Sequence, residues 1–314
     1  MKLLVNGKWR SDYPAGAYRN RSDTYPAERP AQGVLRPDVG RIEIEPKNCH
    51  LYVSYACPFA HRVIITRALL GLGHTIGMSV LDPDWSGPDG WIFSDGPCCT
   101  DDAVNGKRAL HEVYTLAEPN FSGKVTVPVL WACREQKLVS TESLEIVRIL
   151  TSAFRTSHRS GPDLCPRQLE AKIDELNAFI DEHISSGVYR TAHSTETVGH
   201  AANVKQVFDA ILKIEDQLQG RDYLLGEAMT EADIVLFTTM VRFDVVYHDL
   251  FGFDQMRLAQ MPNIAAHTSR LGSHAQIAGT VKFNHIIHHY YTIPEFTGAA
   301  RALRSPHFAN ARED

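Results

Sequence analysis

The sequence predicts an α/β half built on a mixed sheet, followed by an all-helical half. Three observations predict it. A strand, a helix and a second strand follow one another between residues 50 and 81. A strand pair at 125–140 leads straight into another helix. From residue 167 onward the apolar segments have helical rather than alternating period.

Residues 1–47 precede this pattern. The run "YPAGAYRNRSDTYPAERPAQGVLRPDVG" is rich in Pro, Arg, Asp and Gly with little periodicity, and reads as an extended arm on a surface or a partly disordered lead-in. The first strand is "HLYVSYA" (50–56), β-branched and aromatic. In "FAHRVIITRALLGL" (59–72), Val63, Ile64, Ala68 and Leu72 share one helical face, with Gly71 and Gly73 as stop signals. "IGMSVL" (76–81) is the second strand. Residues 82–124 form a long turn-rich insert with a short helix near 108–118; a connection of this length inside a compact domain is usually functional. "VTVPVLW" (125–131) and "KLVS" (137–140) read as a hairpin, and "STESLEIVRILTSAF" (140–154) as a helix with Glu142 in its first turn. The order strand, helix, strand, insert, strand, strand, helix is the thioredoxin arrangement. Helices are then expected at 167–184, 201–218, 231–251, 262–273 and 276–291. Thr230 and Asp233 form a capping box, with Asp in place of the usual Glu or Gln and Met229 and Ile234 as a hydrophobic staple, a structural signal.

The 314 residues are enough for two domains. A net charge of −5 speaks against a general nucleic-acid binder. No apolar run reaches the roughly 20 residues that cross a bilayer, and the opening "MKLLVNGKWRSDYP" has too short an apolar core for a signal peptide. The expectation is a cytoplasmic protein. In that compartment the six cysteines, at 49, 57, 98, 99, 133 and 165, stay reduced. There is no C-x-x-C pair, and no cysteine pair is spaced for structural zinc. His285 and His289 stand four apart on one helical face, a spacing that can bind metal, but no third ligand accompanies them; helix packing or pocket lining is expected, and no metal.

The chemistry points to Cys57. It lies between the first strand and the first helix and is followed at once by Pro58. Proline at the first helical position has no N–H to lose and presets the helical φ. Cys57 therefore stands at the N-cap, where unpaired N–H groups and the positive end of the helix dipole favour a thiolate. The bland alternative is a buried structural thiol. Position 60 is Ala, so a disulfide at Cys57 needs an external thiol to resolve it. His61 and Arg62 could lower the thiol pKa, or anchor the N-terminal arm or a dimer. Pro128 inside an apolar strand is either an edge-strand proline or a cis proline that turns the N–H and C=O of Val127 outward to an extended ligand. Glu142 and Ser143 open a helix whose N-terminus can hold a carboxylate, with Glu142 placed for an ammonium. Together these elements suit glutathione: its thiol near Cys57, its cysteinyl backbone on Val127, its γ-glutamyl head on Glu142 and Ser143.

Over roughly residues 48–250 the chain resembles the glutathione transferase superfamily, and within it the Xi class, the glutathionyl-hydroquinone reductases. The resemblance is carried by "LYVSYACPFAHRVIITRALLGL", "IGMSVL", "DGWIF" (89–93), "TVPVLW", "STESLEI", "SGVYR" (186–190), "YLLGEAMTEADI" and "HHYY" (288–291). It implies the glutathione transferase fold: an N-terminal arm at 1–47, a thioredoxin-like glutathione-binding domain at 48–155 with its insert at 82–124, and a helical substrate and dimerisation domain at 165–314 with a C-terminal extension. It implies Cys57 as nucleophile, Trp91 against glutathione beside Phe59, Val127, Pro128, Glu142 and Ser143, and Tyr189, Tyr290 and Tyr291 around the aromatic substrate. It also implies a homodimer with glutathione as co-substrate. Two departures stand out. The class usually has Trp where this chain has Phe59, which keeps an aromatic face and loses the indole donor. Its usual lysine before the paired tyrosines is replaced by Ile286 or Ile287, and the tail "TIPEFTGAARALRSP" differs as well.

The expected reaction is attack of the Cys57 thiolate on the sulfur of a glutathionyl-hydroquinone, then resolution by a second glutathione. Two rivals share the fold. One is an Omega-like thioltransferase or dehydroascorbate reductase using the same cysteine; the other is a non-catalytic ligand carrier, against which an intact Cys-Pro at a helix start speaks.

Overall fold

A computed structural model describes residues 2–12, 45–157, 161–194 and 197–297. Most of the expected arm and the end of the C-terminal extension lie outside the described residues. The chain opens with strands β1 (Leu3–Val5) and β2 (Lys8–Arg10), followed by β3 (Cys49–Val53), helix α1 (Pro58–Leu69), β4 (Gly77–Val80) and α2 (Leu110–Ala117). Next come β5 (Val129–Ala132), β6 (Lys137–Ser140) and α3 (Ser143–Arg148). The helical part contains α4 (Glu170–Phe179), α5 (Ser186–Ala192), α6 (Thr197–Gln217), α7 (Glu231–Met240) and α8 (Asp249–Phe251). It ends with α9 (Pro262–Ser273), α10 (Ala275–Ala278), α11 (Phe283–Thr292) and α12 (Pro294–Thr297). Contacts divide the chain into two units, Met1–Ser54 with Gly73–Ile146, and Tyr55–Leu72 with Val147–Asp314. Helix α1 thus groups with the helical unit rather than with the sheet that the sequence pairs it with.

The first unit holds a four-stranded sheet in the order β4-β3-β5-β6. β3 runs parallel to β4 and antiparallel to β5, and β5 and β6 form the expected hairpin. β3 is buried along its whole length because it is paired on both edges, so it reads as a continuous rather than alternating run. The thioredoxin-like order is therefore present. β5 starts later than the sequence pattern suggests, at Val129, and the Val127–Pro128 bond before it is cis.

The insert has an internal organiser. The buried Asp102 carboxylate accepts from the Tyr52 hydroxyl at 2.9 Å and from the backbone N–H groups of Val104, Asn105 and Lys107, each at 3.1 Å. The start of the chain is ordered too, contrary to the reading of residues 1–47 as an arm throughout. Asn6 and Gly7 take positive φ and turn β1 back onto β2. Leu4 exchanges backbone hydrogen bonds with Gly123, and Trp9 stacks on His111 at 4.7 Å.

In the second unit three expected helices are interrupted. They carry π-helical turns at Ile149–Ala153, Ile180–Ser185 and Phe243–His248, the last followed by α8. A break at 279–282 splits the helix expected over 276–291 into α10 and α11. Helix α1 is buried nearly all round, which explains its weak amphipathic pattern. The Asp233 carboxylate accepts the Thr230 N–H at 2.8 Å as the capping box requires, and also the Leu224 N–H and His267 Nε2.

Candidate active site

Within the helical unit, Cys57 is the N-cap of α1 with extended backbone (φ −77°, ψ 123°), and Pro58 occupies the first helical position. The first-turn N–H groups at Phe59 and Ala60 and the guanidinium groups of Arg242 and Arg62 act on the sulfur. All four favour the thiolate. Cys57 is half-buried; that burial nonetheless outweighs them and pushes the thiol above its usual value, because a charge loses hydration as water is displaced from around it. The helix-start geometry is as expected; the net direction in the free protein is opposite to the expected activation.

Three tyrosine hydroxyls accompany the thiol. Those of Tyr189, on α5, and Tyr290, on α11, hydrogen-bond each other. The third belongs to Tyr247, in the π-helical turn Phe243–His248; its hydroxyl is buried without a hydrogen-bond partner among the described residues. Burial, first of all, raises all three phenols, Tyr189 and Tyr290 well above the ordinary value and Tyr247 to about 12. They remain protonated donors at neutral pH. A charge on Cys57 acts on each of them, so the four groups form one cluster. Phe59, half-buried, lies 5.8 Å from the Tyr189 ring and carries the Arg62 guanidinium over its face at 4.7 Å.

Tyr291 does not join them. It is 43% exposed, and its hydroxyl donates to the Val245 carbonyl at 3.3 Å. His61 and Arg62 are both fully buried, which removes them as anchors for the arm or for a dimer. His61 Nε2 pairs with Thr280 Oγ1 at 2.8 Å, and Arg62 donates to Asp181 and Ser185 at 2.7 and 2.9 Å. His285 packs edge-on against Tyr55 and His289 against Tyr290. Among the described residues no group of three His, Cys, Asp or Glu side chains could hold a metal ion.

The other expected residues belong to the first unit. Trp91 is buried in the insert, its carbonyl accepting the Leu110 N–H at 2.9 Å. Val127 and Pro128 are buried ahead of β5. Residue 126 is pinned by Tyr114, whose hydroxyl donates to the Thr126 carbonyl at 3.0 Å and lies 3.3 Å from its nitrogen. Glu142 is exposed at the turn into α3, with its N–H donating to Ser140 Oγ at 3.1 Å, and the buried Ser143 opens that helix.

Family models for the glutathione S-transferase N-terminal domain and C-terminal domain match residues 56–153 and 197–270. The chain is 38% identical over 296 residues to the glutathionyl-hydroquinone reductase PcpF of Sphingobium chlorophenolicum, covering 93% of this chain and 91% of that one. It superposes on the Xi class glutathione transferase of Natrialba magadii with a TM-score of 0.86 at 37% identity, over 96% of this chain and 92% of that one. The chain belongs to the glutathione S-transferase superfamily, in its Xi class. The glutathione-bound structure of YqjG, a glutathione transferase homolog from Escherichia coli K-12, matches with a TM-score of 0.78 at 38% identity, over 82% and 84% of the two chains.

For this Xi-class chain, sequence reasoning finds the thiol and two of the three clustered tyrosines, and misses Tyr247 and Arg242. Neither lies in a recognisable motif: "VRFDVVYHDL" reads simply as helix. A signal was present in Arg242, a charged residue in the middle of an apolar helical run.

Proposed function

We propose that this chain reduces glutathionyl-hydroquinones to hydroquinones with glutathione as co-substrate, using Cys57 as the nucleophile. The observation that carries this reading is the cluster of one helix-capping thiol with three phenols, Tyr247 and Tyr290 buried and Tyr189 half-buried, in a chain similar to a glutathionyl-hydroquinone reductase.

In the first step the Cys57 thiolate attacks the sulfur of the conjugate. The sulfur–carbon bond breaks, and its electron pair passes to the ring. An aromatic carbanion is a poor leaving group. A ring hydroxyl that ketonises places a proton on the sulfur-bearing carbon and makes the bond to be cut α to a carbonyl, so the departing pair becomes an enolate. The phenol protons of Tyr189, Tyr247 and Tyr290 are suited to hydrogen-bond that oxygen and to relay the proton involved. One hydrogen is spent in the Tyr189–Tyr290 bond. The products are the hydroquinone and a Cys57–glutathione disulfide. In the second step a glutathione thiolate attacks the glutathione sulfur of that disulfide, and Cys57 leaves as thiolate with oxidised glutathione as product.

In the first unit, the carboxylate and ammonium of the γ-glutamyl head are assigned to Ser143 and Glu142, the cysteinyl backbone to Val127 beside Pro128, and an apolar face to Trp91. In the second unit Phe59 supplies an aromatic face beside Cys57. The domain limits of 48–155 and 165–314, the homodimer and the cytoplasmic setting belong to the same proposal and rest on the class resemblance. Among the described residues no helix is long and apolar enough to cross a membrane.

Turnover of a glutathionyl-hydroquinone by Cys57→Ser tests the reading. The expected loss is on the order of a thousandfold or more, and the wild-type protein starved of glutathione should carry one glutathione on Cys57 by mass spectrometry. Retained turnover in the variant overturns the scheme. A panel in which a small mixed disulfide or dehydroascorbate is turned over far faster than the aromatic conjugates would favour the Omega-like activity instead.

A further inference from the structure

Arg242 has no exposed surface. Its guanidinium donates from Nε to the Ala56 carbonyl at 3.1 Å, from Nη2 to the Tyr55 carbonyl at 2.9 Å and from Nη1 to the Thr238 carbonyl at 2.6 Å. Nη1 also faces His61 Nδ1 at 3.2 Å. Burial and the Arg242 charge hold that imidazole well below its ordinary pKa, so it is neutral and accepts. The hydrogen bonds of Arg242 are thus largely satisfied, yet among the described residues no carboxylate pairs with it.

That is an unusual way to bury a cation. Carbonyl and imidazole partners satisfy N–H groups but do not neutralise a charge, and a buried charge without a counter-ion is costly. Two of the three carbonyls belong to Tyr55 and Ala56, the peptide units immediately before Cys57. They present to the guanidinium the oxygens that would otherwise repel an anion at residue 57.

We propose that Arg242 is the built-in counter-cation of the Cys57 thiolate: its fork fixes the turn that presents the sulfur, and its charge stabilises Cys57 both as nucleophile and as leaving group. Arg62 already shares its charge with Asp181 at 2.7 Å, whereas Arg242 has only carbonyl and imidazole partners among the described residues. Arg242 is a positioning residue. This role deepens the reading of Cys57 as the nucleophile and rests on it.

The experiment follows alkylation of Cys57 by iodoacetamide against pH in the full-length protein, resolved by peptide mass spectrometry, for wild type, Arg242→Gln and Arg242→Lys. Within the helical unit the charged and titratable groups facing Cys57 are Arg62 on α1, Arg242 after α7, Tyr189 on α5, Tyr247 in its π-helical turn and Tyr290 on α11; all but Arg242 are kept in every variant. Arg242→Gln should raise the alkylation midpoint by about one pH unit and slow alkylation near neutrality about tenfold. Arg242→Lys should hold the midpoint close to wild type while lowering kcat, because an ammonium does not reproduce the planar fork that holds the Tyr55, Ala56 and Thr238 carbonyls. A folded Arg242→Gln with an unmoved midpoint and a lower melting temperature reduces Arg242 to a structural residue and overturns the proposal. If Arg242→Gln does not fold, Arg242→Lys decides: a midpoint raised by a full unit despite the retained charge also overturns it. The alkylation midpoint requires neither glutathione nor a quinone. A protein without hydroquinone turnover but with the shift therefore loses the proposed substrate and keeps this inference; turnover without the shift does the reverse.

Discussion

Cys57 carries two opposed influences. The first turn of α1 and two guanidinium groups favour the thiolate, and partial burial disfavours it more strongly. A thiol balanced in this way responds to what enters the site, because an anion is most affected by nearby dipoles where water is scarce. The tyrosines around it are kept neutral by burial as well, which suits them to donate protons and not to compete as nucleophiles. In the proposed mechanism their part in the two half-reactions differs. Only cleavage of the carbon–sulfur bond needs a phenol on the ring oxygen; exchange between glutathione and the Cys57 disulfide does not. Tyr290→Phe is accordingly expected to slow glutathionyl-hydroquinone turnover by about tenfold to a hundredfold. Reduction of a small glutathione mixed disulfide, followed in the same preparation, should stay within about twofold of wild type. Tyr247→Phe should behave alike, since its hydroxyl belongs to the same group of phenols. Equal losses on both substrates would return these phenols to a packing role.

The elements that matter most are those whose ends are shaped by a particular chemical feature. Cys-Pro announces the start of α1, and the cis Val127–Pro128 bond lies ahead of β5, so the positions of the proposed nucleophile and of the candidate cysteinyl-binding edge were both legible as sequence. The opening hairpin was legible in principle, since Asn-Gly is a strong two-residue turn signal, but the unpatterned stretch after it hides strands of only three residues. Gly7 has φ +72°, and a Cβ there would come within 1.8 Å of the Pro119 carbonyl oxygen. Gly220 has nearly the same φ, +68°, with nothing within 4 Å. Gly220→Ala should cost about 1 kcal/mol, the penalty of a left-handed alanine alone, and Gly7→Ala about 2–3 kcal/mol, because a clash is added and the hairpin is displaced. Urea denaturation compares the two, and Trp9 fluorescence reports whether the hairpin has left His111. Equal costs would mean that the hairpin yields freely. The π-helical turns are the opposite case. The 3.6-residue pattern runs through Ile180–Ser185 and Phe243–His248 without a break, yet these turns carry Asp181 and Ser185 to Arg62 and Tyr247 to the phenol cluster. Such a turn is set by tertiary partners, so periodicity cannot reveal it, nor the roles of the residues within it.

At the scale of the whole molecule, the groups that folding keeps uncharged govern the response to pH. His61 is one of them: burial, and then the Arg242 charge, hold its pKa well below the ordinary value. Its ring nitrogens face Arg242 and Thr280, and its ring lies 6.2 Å from that of Phe237. In the unfolded chain the imidazole gains a proton as pH falls through about 6.5, whereas in the folded chain it does not. The unfolded state then binds more protons, so stability falls with falling pH below that point and is unaffected by His61 above it. Glu231 runs the other way. Burial raises its carboxyl despite the Arg148 ion pair, so the folded state binds the extra proton and gains stability as pH falls toward the ordinary carboxylate range. Total stability mixes these terms, and a single substitution separates them. Gln at position 61 can still accept from Arg242 and bond Thr280, but cannot titrate. Between pH 6.5 and 5.5 the wild type should lose about 1 kcal/mol more than His61→Gln, measured as the change in unfolding free energy in urea. A gap between the two proteins that stays constant across this range would mean that the folded protein accepts the proton on His61, and that the Arg242 guanidinium tolerates a second cation beside it.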